Sequence, residues 1–269
     1  MPSASLTDHD LLILEKIKDP ESGPSAPVLI DSSLPRDPHI TDEAVYQKIT
    51  KSERSIISSI QDAELQIANL KPAVSDPLAQ YLSCVERLDE LVGEYPNYGS
   101  ARNNRAQALR RIYGDGILVK GNLERPMGEA APLEVEASNE DLISASNTIL
   151  EDLSTAISLL MPATPFMSIS SQAAKTLSQA YTQRGAIYHL TAKHLSKQGT
   201  QLRIDPNRTE ATWSVVDFEE NASRDFMMGG RYGNEIAKAL AVSANPTAKL
   251  CGEMVREAMR KEYAGGGSS

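Results

Sequence analysis

The chain has 269 residues, of which 41% are apolar, 23% charged and 5% aromatic, and its formal net charge is −9. This composition is that of a globular protein with a sizeable core, and the few aromatic residues favour helices over a β-sandwich or barrel. An acidic surface repels polyphosphate, so nucleic-acid binding would need a local basic patch. Two distant cysteines, Cys84 and Cys251, predict buried thiols in a reducing compartment.

Residues 1–40 are predicted to form an N-terminal arm. The apolar run at residues 11–14 predicts one short helix, and a stretch rich in Pro and Ser follows it. The first residues lack the basic start and apolar run of a secretory signal, and no apolar stretch approaches the length of a membrane span. We therefore expect a cytoplasmic protein, with the nucleus as a second compartment, and no membrane contact.

Residues 41–263 are predicted to form one helical domain. Apolar residues at spacings of three and four over residues 41–70 indicate an amphipathic helix with a break near Gln61. Asp76 before Pro77 predicts the start of a second helix. The arginine-rich stretch ARNNRAQALRRIYGD at residues 101–115 predicts a third helix, which ends at Gly114.

Further helices are predicted after two insertions. Residues 116–145 are expected to form an acidic, solvated loop, with a capping-box start of the next helix at Ser138, and residues 197–212 form a shorter insertion after a helix over 171–195. Asn245 before Pro246 predicts a last helix, whose apolar face would cap the domain, and residues 264–269 a flexible tail.

Small residues recur where the two helices of a hairpin must approach closely, with Ala106 followed by Leu109 and Gly185 followed by Tyr188. The segments ARNNRAQALRR, AYTQRGAIY, VDFEENASRDF and NPTAKLC resemble the tetratricopeptide repeat family. The resemblance implies an all-α solenoid of about three helical hairpins with a C-terminal capping helix. It also implies a concave groove, lined by the first helix of each hairpin, that binds a protein segment.

The resemblance also implies a set of groove residues. Asn104 corresponds to an asparagine with which chaperone-binding members hold the C-terminal carboxylate of a heat-shock protein. The other four positions of that site depart, with Ser55, Ser59, Gln179 and Gln183 in place of cations and an amide. Amides suit a peptide backbone and guanidinium groups suit an acidic side chain. The predicted peptide-binding residues are Asn103, Asn104, Gln107, Arg110, Arg111, Gln179, Thr182 and Gln183.

Catalysis is not predicted. His189 and His194 are five residues apart, which does not place both on one helix face as a metal pair requires. We therefore expect no enzyme, no cofactor and no metal, but an adaptor that binds a peptide segment or C-terminus. The resemblance implies a partner of the heat-shock protein 70 type. The alternatives are RNA or DNA binding through the arginine-rich helix at residues 102–111, and a scaffold that regulates the stability of a metabolic enzyme.

Overall fold

The computed structural model describes residues 28–121, 131–164, 167–197 and 199–265. The short helix predicted in the arm, part of the acidic loop and most of the tail lie outside these residues. Within them the chain forms eight α-helices: α1 (Glu43–Ile67), α2 (Pro77–Glu94), α3 (Gly99–Tyr113), α4 (Asn139–Leu160), α5 (Ser171–Leu195), α6 (Val215–Arg231), α7 (Glu235–Ala244) and α8 (Pro246–Gly265).

Local capping residues start the helices where the sequence predicts. The Asp76 carboxylate accepts hydrogen bonds from the first backbone N–H groups of α2, and Ser138 forms a capping box with Asp141 at the start of α4. The predicted break in α1 is wrong, and the helix runs through Gln61. Ile56 and Ala63 lie on the same buried face on either side of that point, so the packing is continuous across it.

Six of the helices form three hairpins, α1 with α2, α3 with α4 and α5 with α6, which stack through α2–α3 and α4–α5 contacts. The predicted all-α repeat solenoid is confirmed. Small residues allow the close approach: Ala106 is fully buried, and a Cβ atom on Gly185 would lie 3.0 Å from the ring of Phe226. Helices α1, α3 and α5 form the inner layer, and α3 touches α5 directly.

The second and third hairpins are each joined by a buried ion pair. Arg105 of α3 donates to both carboxylate oxygens of Asp152 on α4, at 2.6 and 2.7 Å. Arg184 of α5 donates to Asp225 on α6 in the same way, at 2.7 and 2.9 Å. Each arginine directly precedes the small residue of its hairpin, so the two ion pairs occupy equivalent positions of the repeat.

The arm at residues 28–40 crosses the N-terminal ends of the inner helices. Ile30 pairs with Ile169 just before α5, and the Ser170 hydroxyl donates to the backbone oxygen of Arg36 at 2.9 Å. Asp37 is buried and accepts a backbone hydrogen bond from the start of α3, although burial still raises the pKa of its carboxyl. The arm therefore packs on the repeats and closes one end of the inner layer.

The two insertions meet in space although they belong to different hairpins. Strand β1 (Val119–Lys120) pairs antiparallel with β2 (Gln201–Leu202), and Arg203 donates to the backbone oxygen of Ile117. Ile117, Leu118 and Val119 are almost completely buried. The prediction of a solvated loop is wrong at these three residues, because their apolar side chains join the core at the C-terminal end of α3.

The C-terminal helices differ from the prediction. The sequence did not predict α7, which packs closely against α6. The close approach requires a glycine at position 230, because a Cβ atom added to Gly230 would lie 2.8 Å from the Cα of Lys238. Helix α8 packs on α7 and on the start of α6, and Leu250 and Met254 are 58% and 63% exposed. The capping role expected for α8 is therefore wrong, since α7 covers α6. Cys251 on α8 is exposed rather than buried.

We predict that the buried aspartate of the second hairpin is essential to its stability. Asp152→Ala would leave the largely buried guanidinium groups of Arg102 and Arg105 without their shared counter-charge, and is expected to lower the free energy of unfolding by about 3–5 kcal/mol. Asp89→Ala removes the exposed partner of the same Arg105 and is expected to cost less than about 1 kcal/mol. Urea unfolding followed by circular dichroism would measure both, and equal losses would contradict the prediction.

Candidate functional site

All eight predicted peptide-binding residues lie on two inner helices that touch each other. Asn103, Asn104, Gln107, Arg110 and Arg111 are on α3, and Gln179, Thr182 and Gln183 are on α5. The structure therefore brings the set together, as the sequence prediction requires. We call these eight residues, together with Glu53 and Glu64 of α1, the inner polar surface.

Two of the predicted amides are buried and bond to each other. Asn103 is 1% exposed and Gln183 is 8% exposed, and the Gln183 amide donates to the Asn103 side-chain oxygen at 2.8 Å. Asn103 also donates to Gln179 at 3.3 Å, and Arg110 donates to the Gln183 oxygen at 2.9 Å. The buried amides of Asn103 and Gln183 thus hold α3 against α5, and they are engaged with the chain rather than open to a ligand.

Asn104 connects α3 to α1. Its side-chain amide donates to one oxygen of Glu53 at 2.8 Å, and the Tyr98 hydroxyl donates to the other at 2.7 Å. Glu53 is buried, and burial raises the pKa of its carboxyl although these hydrogen bonds act in the opposite direction. The asparagine expected to bind a carboxylate terminus thus binds a carboxylate of the chain itself.

Both predicted arginines are already paired with carboxylates. Arg110 binds Asp115 through two hydrogen bonds of 2.8 Å. Arg111 donates to Glu64 at 2.7 Å, and also to the backbone oxygen of Ala131 in the first insertion at 2.7 Å. The insertion therefore contacts the inner polar surface at the end of α3 that lies opposite the arm.

The most exposed parts of the inner polar surface are two amides and one carboxylate, because the Glu64 side chain is 42% exposed although it is paired with Arg111. Gln107 and Gln179 are exposed. Thr182 is half-buried, donates to the Ser178 backbone oxygen at 2.7 Å, and accepts from Asn234 at 3.1 Å. No group of three or more His, Cys, Asp or Glu side chains in the described part of the chain could hold a metal ion. The surface therefore offers hydrogen bonds from two exposed amides, next to an ion pair of Arg111 and Glu64.

Ser55 and Ser59 do not face α3, contrary to the sequence prediction. Both accept hydrogen bonds from Arg87 of α2, at 2.9 and 3.3 Å. The α1 side chains that meet α3 are Glu53 and Glu64, which the sequence prediction missed. One signal for Glu53 was present, because it lies in the apolar stripe of α1 between two buried isoleucines. No such pattern in the sequence indicated that Glu64 would contact α3.

The chain is 35% identical over 266 residues to L-tyrosine degradation gene cluster protein hmgX of Aspergillus fumigatus, a match that covers 97% of this chain and 94% of that protein. The chain belongs to the hmgX family. It is also similar to tetratricopeptide repeat protein 36 of Xenopus tropicalis, at 27% identity over 77% of this chain and 67% of that protein. The Drosophila pseudoobscura pseudoobscura homolog of that protein is 23% identical over 80% of this chain and 96% of its own length.

No family model matches the chain, and no solved structure matches it significantly. The similarity to hmgX is thus higher in identity and in coverage of the chain than the similarity to the two tetratricopeptide repeat proteins. Within the described residues, none of the helices is both long enough and apolar enough to cross a membrane.

We predict that the buried amides of the inner polar surface act mainly in folding. Asn103→Ala leaves the Gln183 amide without its partner and is expected to cost about 1–3 kcal/mol of unfolding free energy. Gln107→Ala, on the exposed side of the same helix, is expected to change it by less than about 0.5 kcal/mol. Chemical denaturation would measure both variants, and an Asn103→Ala protein as stable as Gln107→Ala would contradict this interpretation.

Proposed function

We propose that this chain is a non-catalytic, protein-binding member of the hmgX family that acts on an enzyme of L-tyrosine degradation. The observation that carries the proposal is the similarity to hmgX over 97% of the chain, because that relative is named for an L-tyrosine degradation gene cluster. The similarity to tetratricopeptide repeat protein 36 supports protein binding. Stacked helical hairpins present an extended surface that suits a protein partner.

The state of the titratable groups supports a non-catalytic role. Glu53 accepts from Tyr98 and Asn104, and Glu64 accepts from Tyr81 and Arg111. A general acid or base must reach a proton of the substrate, whereas Glu53 is buried with both oxygens bonded to the chain, and Glu64 is held by Arg111 and Tyr81. The inner polar surface therefore suits recognition rather than proton transfer.

Ion pairing also favours a protein partner over RNA or DNA. The four arginines of the basic helix all bind carboxylates of the chain: Arg102 and Arg105 bind Asp152, Arg110 binds Asp115, and Arg111 binds Glu64. Binding to a phosphate backbone depends on unpaired cations that displace counterions. The basic helix is thus neutralised by carboxylates of the chain, which argues against the RNA or DNA alternative.

We predict that the full-length chain, used as bait in a lysate of cells that are degrading L-tyrosine, enriches an enzyme of that pathway. Replacing both exposed amides, Gln107→Glu with Gln179→Glu, is expected to reduce recovery several-fold, since two charges on the binding surface oppose desolvation. Glu151→Gln, at an exposed position of α4, is the control and should recover the partner fully.

Mass spectrometry of the eluates would distinguish the two parts of this proposal. If no enzyme of L-tyrosine degradation is enriched over an empty bait, the proposed function is wrong. If the Gln107→Glu and Gln179→Glu double variant recovers the enzyme as well as the control does, the function stands and the inner polar surface is not its binding site.

A partner of the heat-shock protein 70 type is the alternative that the sequence resemblance suggested through Asn104, and the contacts of Asn104 argue against it. Because Asn104 is bonded to Glu53, and because Glu53 would repel an incoming carboxylate, we predict that a peptide ending in Glu-Glu-Val-Asp gives no binding heat. Isothermal titration calorimetry at up to about 500 μM peptide would detect a dissociation constant of about 100 μM or tighter. Saturable binding, lost in Asn104→Ala, would instead favour the chaperone partner.

A further inference from the structure

The described first hairpin has an exposed ion pair, Lys48 with Glu94, but no buried arginine–aspartate pair at the position where the other two hairpins have one. In those hairpins a buried aspartate, Asp152 or Asp225, directly precedes a fully buried large side chain on the second helix. On α2 the residue before the fully buried Leu88 is Arg87. On α1, Ser55 stands directly before the buried Ile56, where the other hairpins carry an arginine. The first hairpin thus has a cation where the other two have a carboxylate.

Arg87 is half-buried and is held by neutral groups only. Its guanidinium donates to the Ser55 hydroxyl at 2.9 Å and to the Ser59 hydroxyl at 3.3 Å. Six other arginines of the described chain are paired with carboxylates: Arg102, Arg105, Arg110, Arg111, Arg184 and Arg208. No such ion pair joins Arg87 to a described carboxylate. Its charge is fixed in position without an internal counter-charge.

Arg87 lines a surface pocket of about 510 Å³ between α1 and α2, which we call the α1–α2 pocket. Lys51, Ser52 and Ser55 of α1 line the same pocket. Lys51 is exposed and forms no ion pair with a described residue. The Ser55 hydroxyl accepts from Arg87, and its own proton is not donated in any described hydrogen bond. Two cations that form no ion pair with a described residue, Arg87 and Lys51, therefore share one cavity with a hydroxyl donor.

The rest of the pocket wall contains both apolar and charged residues. Ile56 and Leu91 are buried and supply an apolar floor. Glu94 lines the pocket but is neutralised by Lys48 at 3.0 Å. Glu90 is exposed and is the carboxylate left without an ion pair among the lining residues. The three cations of the pocket thus face two carboxylates, in a chain that is strongly acidic as a whole.

We propose that the α1–α2 pocket binds an oxyanion, either a phosphate or a carboxylate group, whose short apolar body lies on Ile56 and Leu91. The bound oxygens would accept two hydrogen bonds from the Arg87 guanidinium, a geometry that favours planar, bidentate oxyanions. The oxyanion supplies to Arg87 the counter-charge that Asp152 supplies to Arg105. Lys51 adds a second positive charge, and Ser55 adds a hydroxyl donor.

This site is separate from the inner polar surface. Two residues correspond to about 200° around a helix, so Glu53 faces α3 while Ser55 faces α2. The oxyanion site therefore does not depend on the proposed function, and a protein partner on the inner layer could be bound at the same time. Failure of the enzyme pull-down would leave the oxyanion site untouched.

Three probes that share one aromatic ring test the chemistry of the site: phenyl phosphate, phenylacetate and benzyl alcohol. Saturation-transfer NMR and titration of the full-length chain would measure their affinities. We expect at least one of the two anions to bind with a Kd of about 1 mM, and the neutral alcohol to bind at least about tenfold more weakly. The tighter of the two anions identifies the preferred oxyanion.

Variants locate the binding. Arg87→Gln is expected to weaken the affinity for the better anion about tenfold or more. Lys51→Gln, which removes a side chain with no described hydrogen bond or ion pair, is expected to weaken it about threefold. Lys71→Gln is the matched control. Lys71 lies in the loop that connects α1 to α2, does not line the pocket, and pairs with Asp62 at 2.6 Å. It removes the same charge and should leave the affinity unchanged.

Three results would overturn the proposal. The first is no binding of either anion up to about 20 mM. The second is an affinity for benzyl alcohol equal to that for the better anion, which would make the pocket merely apolar. The third is an unchanged affinity in both Arg87→Gln and Lys51→Gln, or an equal loss in Lys71→Gln, which would assign the binding to the general charge of the chain.

Discussion

The buried arginine–aspartate pair is the contact around which the second and third hairpins are built. A buried carboxylate costs several kcal/mol in desolvation unless a cation and further hydrogen bonds compensate it. Arg105 and Arg184 provide that compensation only when the two helices of each hairpin lie at one relative height. The pairs therefore fix the register of α3 on α4 and of α5 on α6, while the small residues beside the arginines fix the distance.

That register places the polar side chains of α3 opposite those of α5 and α1. In the resulting inner polar surface, most amide and charged side chains form hydrogen bonds or ion pairs with one another. Asn103 bonds to Gln183, and Asn104 bonds to Glu53. The packed arm closes the N-terminal end of the inner layer, and the first insertion reaches Arg111 at the other end. A partner thus meets a pre-ordered surface on which Gln107 and Gln179 are the accessible amides.

Much of the fold could be predicted because local chemistry marks helix ends. Pro77 after Asp76, the capping box at Ser138 and Gly114 at the end of α3 each act within a few residues, so the sequence carries the information directly. Helix α7 was missed because it is short and because its packing depends on Gly229 and Gly230 of α6, which leave room for Ala237 and Lys238. The burial of Ile117 and its neighbours was missed because β1 pairs with a strand about eighty residues later.

The sequence by itself determined the helical class and most helix boundaries, because periodicity and capping are properties of neighbouring residues. The grouping of eight polar residues on two inner helices came from the resemblance to the tetratricopeptide repeat family, which supplies the order in which helices alternate between the inner and outer layers. Only the tertiary structure decided which groups those residues bind. The partners of Asn104, Arg111 and Arg87 lie on other helices, and a rotation of α1 by one residue would exchange Glu53 for another side chain. Hydrogen-bond partners across helices depend on such rotations and heights, which packing sets and local sequence does not.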